Sequence, residues 1–247
     1  MKSAERHKLK ENEFARTVAR ARTAISARSR QLRNILIALI GVIVLVGLYA
    51  WWRSAANAEA NERLAAALAT YGTPVVAPEP PKPGSPPPLP RPGTFQSEEE
   101  RLSASLPKFI EAANANPDSR PGITARFHAA GILAAQGRHA EAEQQYREVI
   151  SKAGSSIYSV TARLGLAQTL LAQDKFDDAI AIYTELSRDK NSLLPLDTVL
   201  FQLGRAYARA GKKEDAVRSF TRVVDEFPQS AYAADARREI EETKKTS

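Results

Sequence analysis

Arg205 and Arg209 stand four residues apart, a spacing that on a helix puts two guanidinium forks on one face, where they can hold a carboxylate or an acidic peptide through bidentate hydrogen bonds. On an ordinary surface helix the same pair reads as a solvated face. Beyond these two the chain is short of reagents. It has no cysteine among its 247 residues, which excludes thiol catalysis, thiolate zinc sites and disulfides. Its histidines are His7, His128 and His139; the last two lie eleven apart across a helix turn, and a metal there needs further ligands that the sequence does not place. The acidic residues Glu141, Glu143, Asp177, Asp178, Glu214 and Asp215 come in close pairs, but each pair opens a helix, where carboxylates stabilise the dipole. No glycine-rich phosphate loop, HExxH, nucleophile elbow or CxxC occurs. The chain therefore reads as no enzyme, with no cofactor, no metal and no small-molecule substrate.

Charge is distributed unevenly. Lys and Arg total 35 against 28 Asp and Glu, a net +7, yet the first 33 residues hold ten basic and three acidic residues while the remainder is balanced. The body of the protein thus offers no basic excess to a phosphate backbone, and no nucleic-acid partner is expected; the basic arm could also be read as a nucleic-acid or lipid-headgroup binder, but its preferred reading is an orientation signal. The nineteen residues from Asn34 to Trp52 carry no charge and eleven of them are Ile, Leu or Val; as a helix they rise roughly 28 Å, enough to cross a bilayer. Tyr49, Trp51 and Trp52 sit at one end, as interfacial rings do. The basic arm 1–33 predicts a cytoplasmic N-terminus and a C-terminal domain on the other side, with the lipid contact made by 34–53. Ala56-Asn57-Ala58 offers a small-x-small cleavage site, but the basic region is too long and the apolar run exceeds that of a signal peptide, so the span reads as an uncleaved anchor.

Residues 54–71 are Ala-rich without a helix breaker and extend the membrane helix to Gly72. Ten of the fifteen prolines then fall between Pro74 and Pro92, so this stretch of the linker 72–95 is expected to run as extended polyproline II, reaching roughly 60 Å and lifting a domain off the membrane. Its PxxP patterns also suit proline-reading domains. From residue 96 to 247 one offset of 37 residues recurs: Ala142, Ala179 and Ala216; Tyr146, Tyr183 and Phe220; Val149, Leu186 and Val223; Ala130, Ala167 and Gly204; and at the turns Gly137, Asp174 and Gly211. Apolar spacing within each unit is helical on both sides of the turn, which predicts an all-α array of stacked helical hairpins. Ser105, Phe109 and Ala112 mark a leading half-unit from about Glu98 to Asn114, and Ser230 to Lys244 reads as a terminal capping helix with Ser230 as N-cap.

Leu203, Gly204, Tyr207, Gly211, Ala216, Phe220 and Pro228 resemble the tetratricopeptide repeat, with weaker matches in the two preceding units and three extra residues per repeat. Basic arm, single span and outward repeat domain together resemble the ancillary subunit of the bacterial Sec translocon. The ending FPQSAYAADARREI is similar to that of envelope proteins coordinating outer-membrane and cell-wall assembly. The resemblance implies a solenoid of about three repeats whose first helices line a groove. Matched position by position, that groove takes Thr124 and Phe127, then Thr161, Leu164 and Gln168, then Thr198, Phe201, Arg205 and Arg209. The family's Lys-Asn carboxylate clamp is absent. What the resemblance implies is a protein-binding scaffold at the periplasmic face of the inner membrane, holding translocon, chaperone or newly exported client proteins. The alternative is a tether or assembly factor for a cell-wall or outer-membrane complex, positioned by the proline-rich stalk.

Overall fold

A computed structural model of the chain describes residues 29–78, 91–189 and 193–245. The basic arm up to residue 28 and the centre of the proline-rich stretch, 79–90, lie outside the described residues. The chain divides into two compact units, Met1–Ala55 and Ala56–Ser247, and helix α1 (Ser29–Tyr71) contributes to both. In the first unit the apolar residues of α1 from Ile35 to Trp52 are exposed, the large ones at 51% (Ile40) to 72% (Trp51). That stretch is long and apolar enough to cross a membrane.

The second unit is built of helices. After α1 come α2 (Glu98–Ala115), α3 (Arg120–Ala135), α4 (His139–Lys152), α5 (Ile157–Ala172), α6 (Phe176–Arg188), α7 (Leu196–Arg209), α8 (Lys213–Glu226) and α9 (Ala233–Lys245). From α2 to α9 each helix packs on its sequence neighbour, and α9 closes the series as a cap. Within a pair the turn repeats atom for atom. Gly137, Asp174 and Gly211 have φ of 75°, 58° and 73°, and the next residue's N–H returns to the Leu133, Leu170 and Tyr207 carbonyls at 2.9–3.0 Å. This is the left-handed stop that glycine makes without strain.

Two expectations change at the leading end. The segment read as a bare helical extension is the first helix of the leading unit: Ala60 and Ala67 are buried, Tyr71 meets the Phe109 ring edge-on at 5.9 Å, and Lys108 donates to the Thr70 hydroxyl at 2.7 Å. The half-unit at α2 is therefore a whole one. The described flanks of the proline-rich segment, expected to be held apart by an extended spacer, are instead bonded to each other. Val75 pairs with Phe95 in a parallel bridge, with Val76 N–H on the Phe95 carbonyl at 2.8 Å and Phe95 N–H on the Pro74 carbonyl at 3.0 Å. A segment whose ends are hydrogen-bonded together cannot separate two bodies by its length. The composition revealed the stiffness of the chain but not the contact between its flanks. Ser230 stands ahead of the last helix, which starts at Ala233, and makes a capping bond to the turn that leads into it: its hydroxyl accepts the Tyr232 N–H at 3.1 Å and donates to Asp197 at 2.6 Å.

The core follows the 37-residue offset. Phe109, Tyr146, Tyr183 and Phe220 are all buried, as are Ala142, Ala179 and Ala216. The rings need room that only a missing side chain gives. A Cβ on Gly165 would lie 2.5 Å from the Tyr146 ring, and one on Gly204 would lie 2.6 Å from Phe220. Polar ties then join successive pairs: Lys175 to Glu143 at 2.8 Å, Lys212 to Asp177 at 2.7 Å and Arg209 to Asp174 at 3.0 Å. Glu143 is the most heavily used, since Arg147 and Gln173 also donate to it. The Lys175 ammonium, against a partial cost of burial and with help from Arg147 and Gln173, holds the Glu143 carboxyl at about 2, below its ordinary 4.5.

Two outcomes follow from this packing. Gly204→Ala is expected to destabilise the array, because overpacking against a fixed ring costs about 1–3 kcal/mol and outweighs the ~1 kcal/mol of added helix propensity; Phe220→Leu in the same chain should recover part of the loss in a urea titration. Because Glu143 is depressed in the folded state, its contribution is complete above pH 4.5 and is lost as pH falls toward 2. Thermal unfolding should show Glu143→Gln less stable than the parent at pH 6 and indistinguishable from it near the acid end of that window.

Candidate partner-binding site

The expected groove draws on the first helices of the pairs, α3, α5 and α7. Their exposed positions are set by the helical period, since the face turned toward the partner helix is taken by Ala130, Ala167, Leu170, Leu203 and Ala206. Gln168 and Arg205 are exposed, and Thr161 and Thr198 are half-buried. The Thr161 hydroxyl is spent on the Ile157 carbonyl at 2.8 Å, and the Thr198 N–H donates to the Asp197 carboxylate at 2.8 Å. Thr124 is buried, with its hydroxyl on the Arg120 carbonyl.

The two arginines are not equivalent. Arg209 is held by Asp174 at 3.0 Å and lies over the Phe176 ring at 5.4 Å, so it staples α7 to the preceding turn. Arg205 acts instead on Tyr183, whose buried phenol is pushed up by desolvation and drawn back by the nearby guanidinium. The pair therefore presents one available fork rather than a two-arginine clamp.

Phe201 leaves the predicted surface altogether. It is buried, stacked on Tyr232 at 4.8 Å and 5.6 Å from Phe220. Phe127 has the same relation to the unit after it, meeting Tyr158 edge-on at 5.7 Å and Tyr146 at 6.1 Å, and it is half-buried. Both phenylalanines have their tyrosine 31 residues later in the chain, a spacing that could have shown that these rings join neighbouring units instead of facing a partner.

The sequence reading also missed a buried cation. Arg126 of α3 is 6% exposed and pairs with Glu148 at 2.8 Å, while its fork also reaches Gln145 and Asn114 at 2.8 and 3.1 Å. The signal was there, because Arg163 and Glu185 repeat the pair 37 residues on, at 2.6 Å. His128 stacks on Phe109 at 5.1 Å, and burial lowers its pKa. Among the described residues no group of three or more His, Asp or Glu is placed to hold a metal ion. Glu141 is paired with Arg138, Asp177 with Lys212 and Asp215 with Arg218, so these helix-opening acids are engaged in ion pairs.

Comparison with known proteins agrees with this geometry. A tetratricopeptide repeat-like domain model matches residues 32–192, and a tetratricopeptide repeat model matches residues 198–230. No curated protein sequence matches the chain. Two solved structures of a Podosopora anserina kinesin-light-chain-type protein with nearly identical TPR-like repeats, one of them a single-residue variant, superpose with TM-scores of 0.52 and 0.51 at 13% identity, covering 58% of this chain and 77% of theirs. At that identity the likeness concerns the fold. With well over half of its length matched and with the hairpin array, the ring slots and the turn stops in place, the chain belongs to the tetratricopeptide repeat-like domain family.

Proposed function

We propose that this protein is a membrane-anchored scaffold for other proteins. In this reading residues 34–53 cross the inner membrane of a bacterium, the basic arm stays in the cytoplasm, and the repeat domain works in the periplasm, holding translocon, chaperone or newly exported client proteins. Repeats of this kind serve protein–protein interaction. The observation that carries the proposal is the pairing of a charge-free, fully exposed apolar stretch in α1 with a helical array whose first helices show exposed Gln168 and Arg205. Orientation rests on the ten basic residues before the span. Of the residues first assigned to the groove, Thr161, Gln168, Thr198 and Arg205 form its working surface; Phe127 supports one end, Arg209 fixes the array, and Phe201 belongs to the core.

The tether reading relied on a long stalk, and the hydrogen-bonded base of the proline-rich loop removes that reason for preferring it. Photoreactive side chains placed at Gln168, Arg205 and, as a control on a second helix, Arg222 in the full chain in native membranes test the scaffold directly. Crosslinks to translocon or chaperone subunits are expected from Gln168 and Arg205 but not from Arg222, and Arg205→Glu should weaken capture at Gln168 by about tenfold, the loss of one charge-assisted contact. Crosslinks to cell-wall or outer-membrane assembly proteins instead would return the function to envelope assembly, and crosslinks from Arg222 alone would discard the groove.

A further inference from the structure

The 37-residue offset allows two equivalent interfaces to be compared side chain by side chain. At the first, the buried Arg126 guanidinium donates to Gln145, Asn114 and the Ala113 carbonyl and pairs with Glu148. At the second, Arg163 and Glu185 keep the ion pair at 2.6 Å, but the residues corresponding to Gln145, Asn114 and Ala113 are Ile182, Ser151 and Ile150. Two side-chain acceptors have been exchanged for an isoleucine and a short hydroxyl. At this second interface a cleft of about 410 Å³ opens between α4, α5 and α6, within the ~300–1,000 Å³ typical of ligand clefts.

Its wall is apolar, made by the buried Leu166 and the half-buried Ile150 and Ile182. Its mouth is cationic. Arg163 is 38% exposed, against 7% for its counterpart Arg126, and Arg147 shares the single carboxylate of Glu143 with Lys175. Among the lining residues Arg147 and Arg163 stand against one carboxylate, Glu185, which leaves an excess of one positive charge along the cleft. A guanidinium fork is matched by a carboxylate, and Leu166, three residues from Arg163 on the same helix, sets the apolar wall about 5–6 Å away.

We propose that this cavity is a second docking site, built for a segment of a partner protein that carries an Asp or Glu beside a Leu or Ile, the carboxylate on Arg163 and the aliphatic side chain against Leu166, Ile150 and Ile182. At about 100° per residue, Arg163 and Leu166 lie on the face of α5 turned away from Thr161 and Gln168. The site is thus separate from the groove proposed above, and each can succeed or fail without the other.

The test uses the full chain in detergent micelles with isotope-labelled isoleucine methyl groups, titrated with the blocked peptide acetyl-Gly-Leu-Glu-Leu-Gly-amide and with its Glu→Gln counterpart. Shifts are expected at Ile150 and Ile182, with the Gln peptide or Arg163→Gln binding about tenfold more weakly. Ser151→Asn combined with Ile182→Gln restores the side-chain acceptors of the first interface and should abolish the Ile150 shift while leaving the Ile123 and Ile132 signals in place, which reports an intact fold. Absence of shifts at Ile150 and Ile182, equal binding of the Gln peptide, or binding that survives the double substitution would overturn the proposal. Shifts confined to Ile157, at the start of α5, would do so as well and would place the peptide elsewhere.

Discussion

A buried ring must have somewhere to go, and the array is organised around that demand. Once in every 37 residues a large aromatic side chain leaves the second helix of a pair and enters a slot in a first helix. Phe220 fills the space above Gly204, and Tyr146 the space above Gly165. Close-packed interiors tolerate neither a void nor an extra methyl at such a place. The Tyr146 ring of one pair is completed by Gly165 of the next, which joins those two units, while the Phe220 ring is completed by Gly204 of its own pair and closes that hairpin. Of the polar ties, the lysines Lys175 and Lys212 follow the same offset while their acids Glu143 and Asp177 do not. The Asp177–Lys212 tie is exposed and individually weak, whereas Glu143 is half-buried and held by several donors.

The leading unit shows how the constraint extends to α1. Phe109 occupies the same position as the other rings, and its neighbours are Tyr71 and His128. Tyr71 belongs to α1, so the helix that contains the apolar stretch also supplies the first wall of the repeat domain. Between α1 and α2 the flanks of the proline-rich segment meet at Val75 and Phe95. Its length is free of the spacing function that its composition suggested.

Much of this was legible in the sequence, and the exceptions have physical causes. Helices, turns and ring positions repeat, and a periodic pattern needs no knowledge of long-range contact to be seen. The burial of Phe201 depends on Tyr232 in the cap, and its signal was the 31-residue spacing shared with Phe127 and Tyr158 rather than the 37-residue offset of the ring positions. The role of Arg209 was hidden for a related reason: Asp174 sits where the other units have glycine, so its carboxylate was read as a turn residue and not as the anchor of a guanidinium. The Arg126–Glu148 and Arg163–Glu185 pairs did carry the period, but charged positions are usually passed over when a search is made for apolar repeats. The proline-rich loop is the clearest failure, since composition reports how a segment behaves alone and says nothing of whether its ends meet.

If rings seated against neighbouring helices make the stack one cooperative body that begins within α1, the test lies in amide hydrogen exchange of the full chain under increasing denaturant. The amides from Ala60 to Tyr71 should exchange with the same opening free energy as those around Phe109, Leu133 and Leu170, and Tyr71→Ala should lower the protection of both α1 and α2 together. Exchange of residues 60–71 that is independent of the rest, with α2 unaffected by the substitution, would show that this helix is an appendage and that the array starts elsewhere.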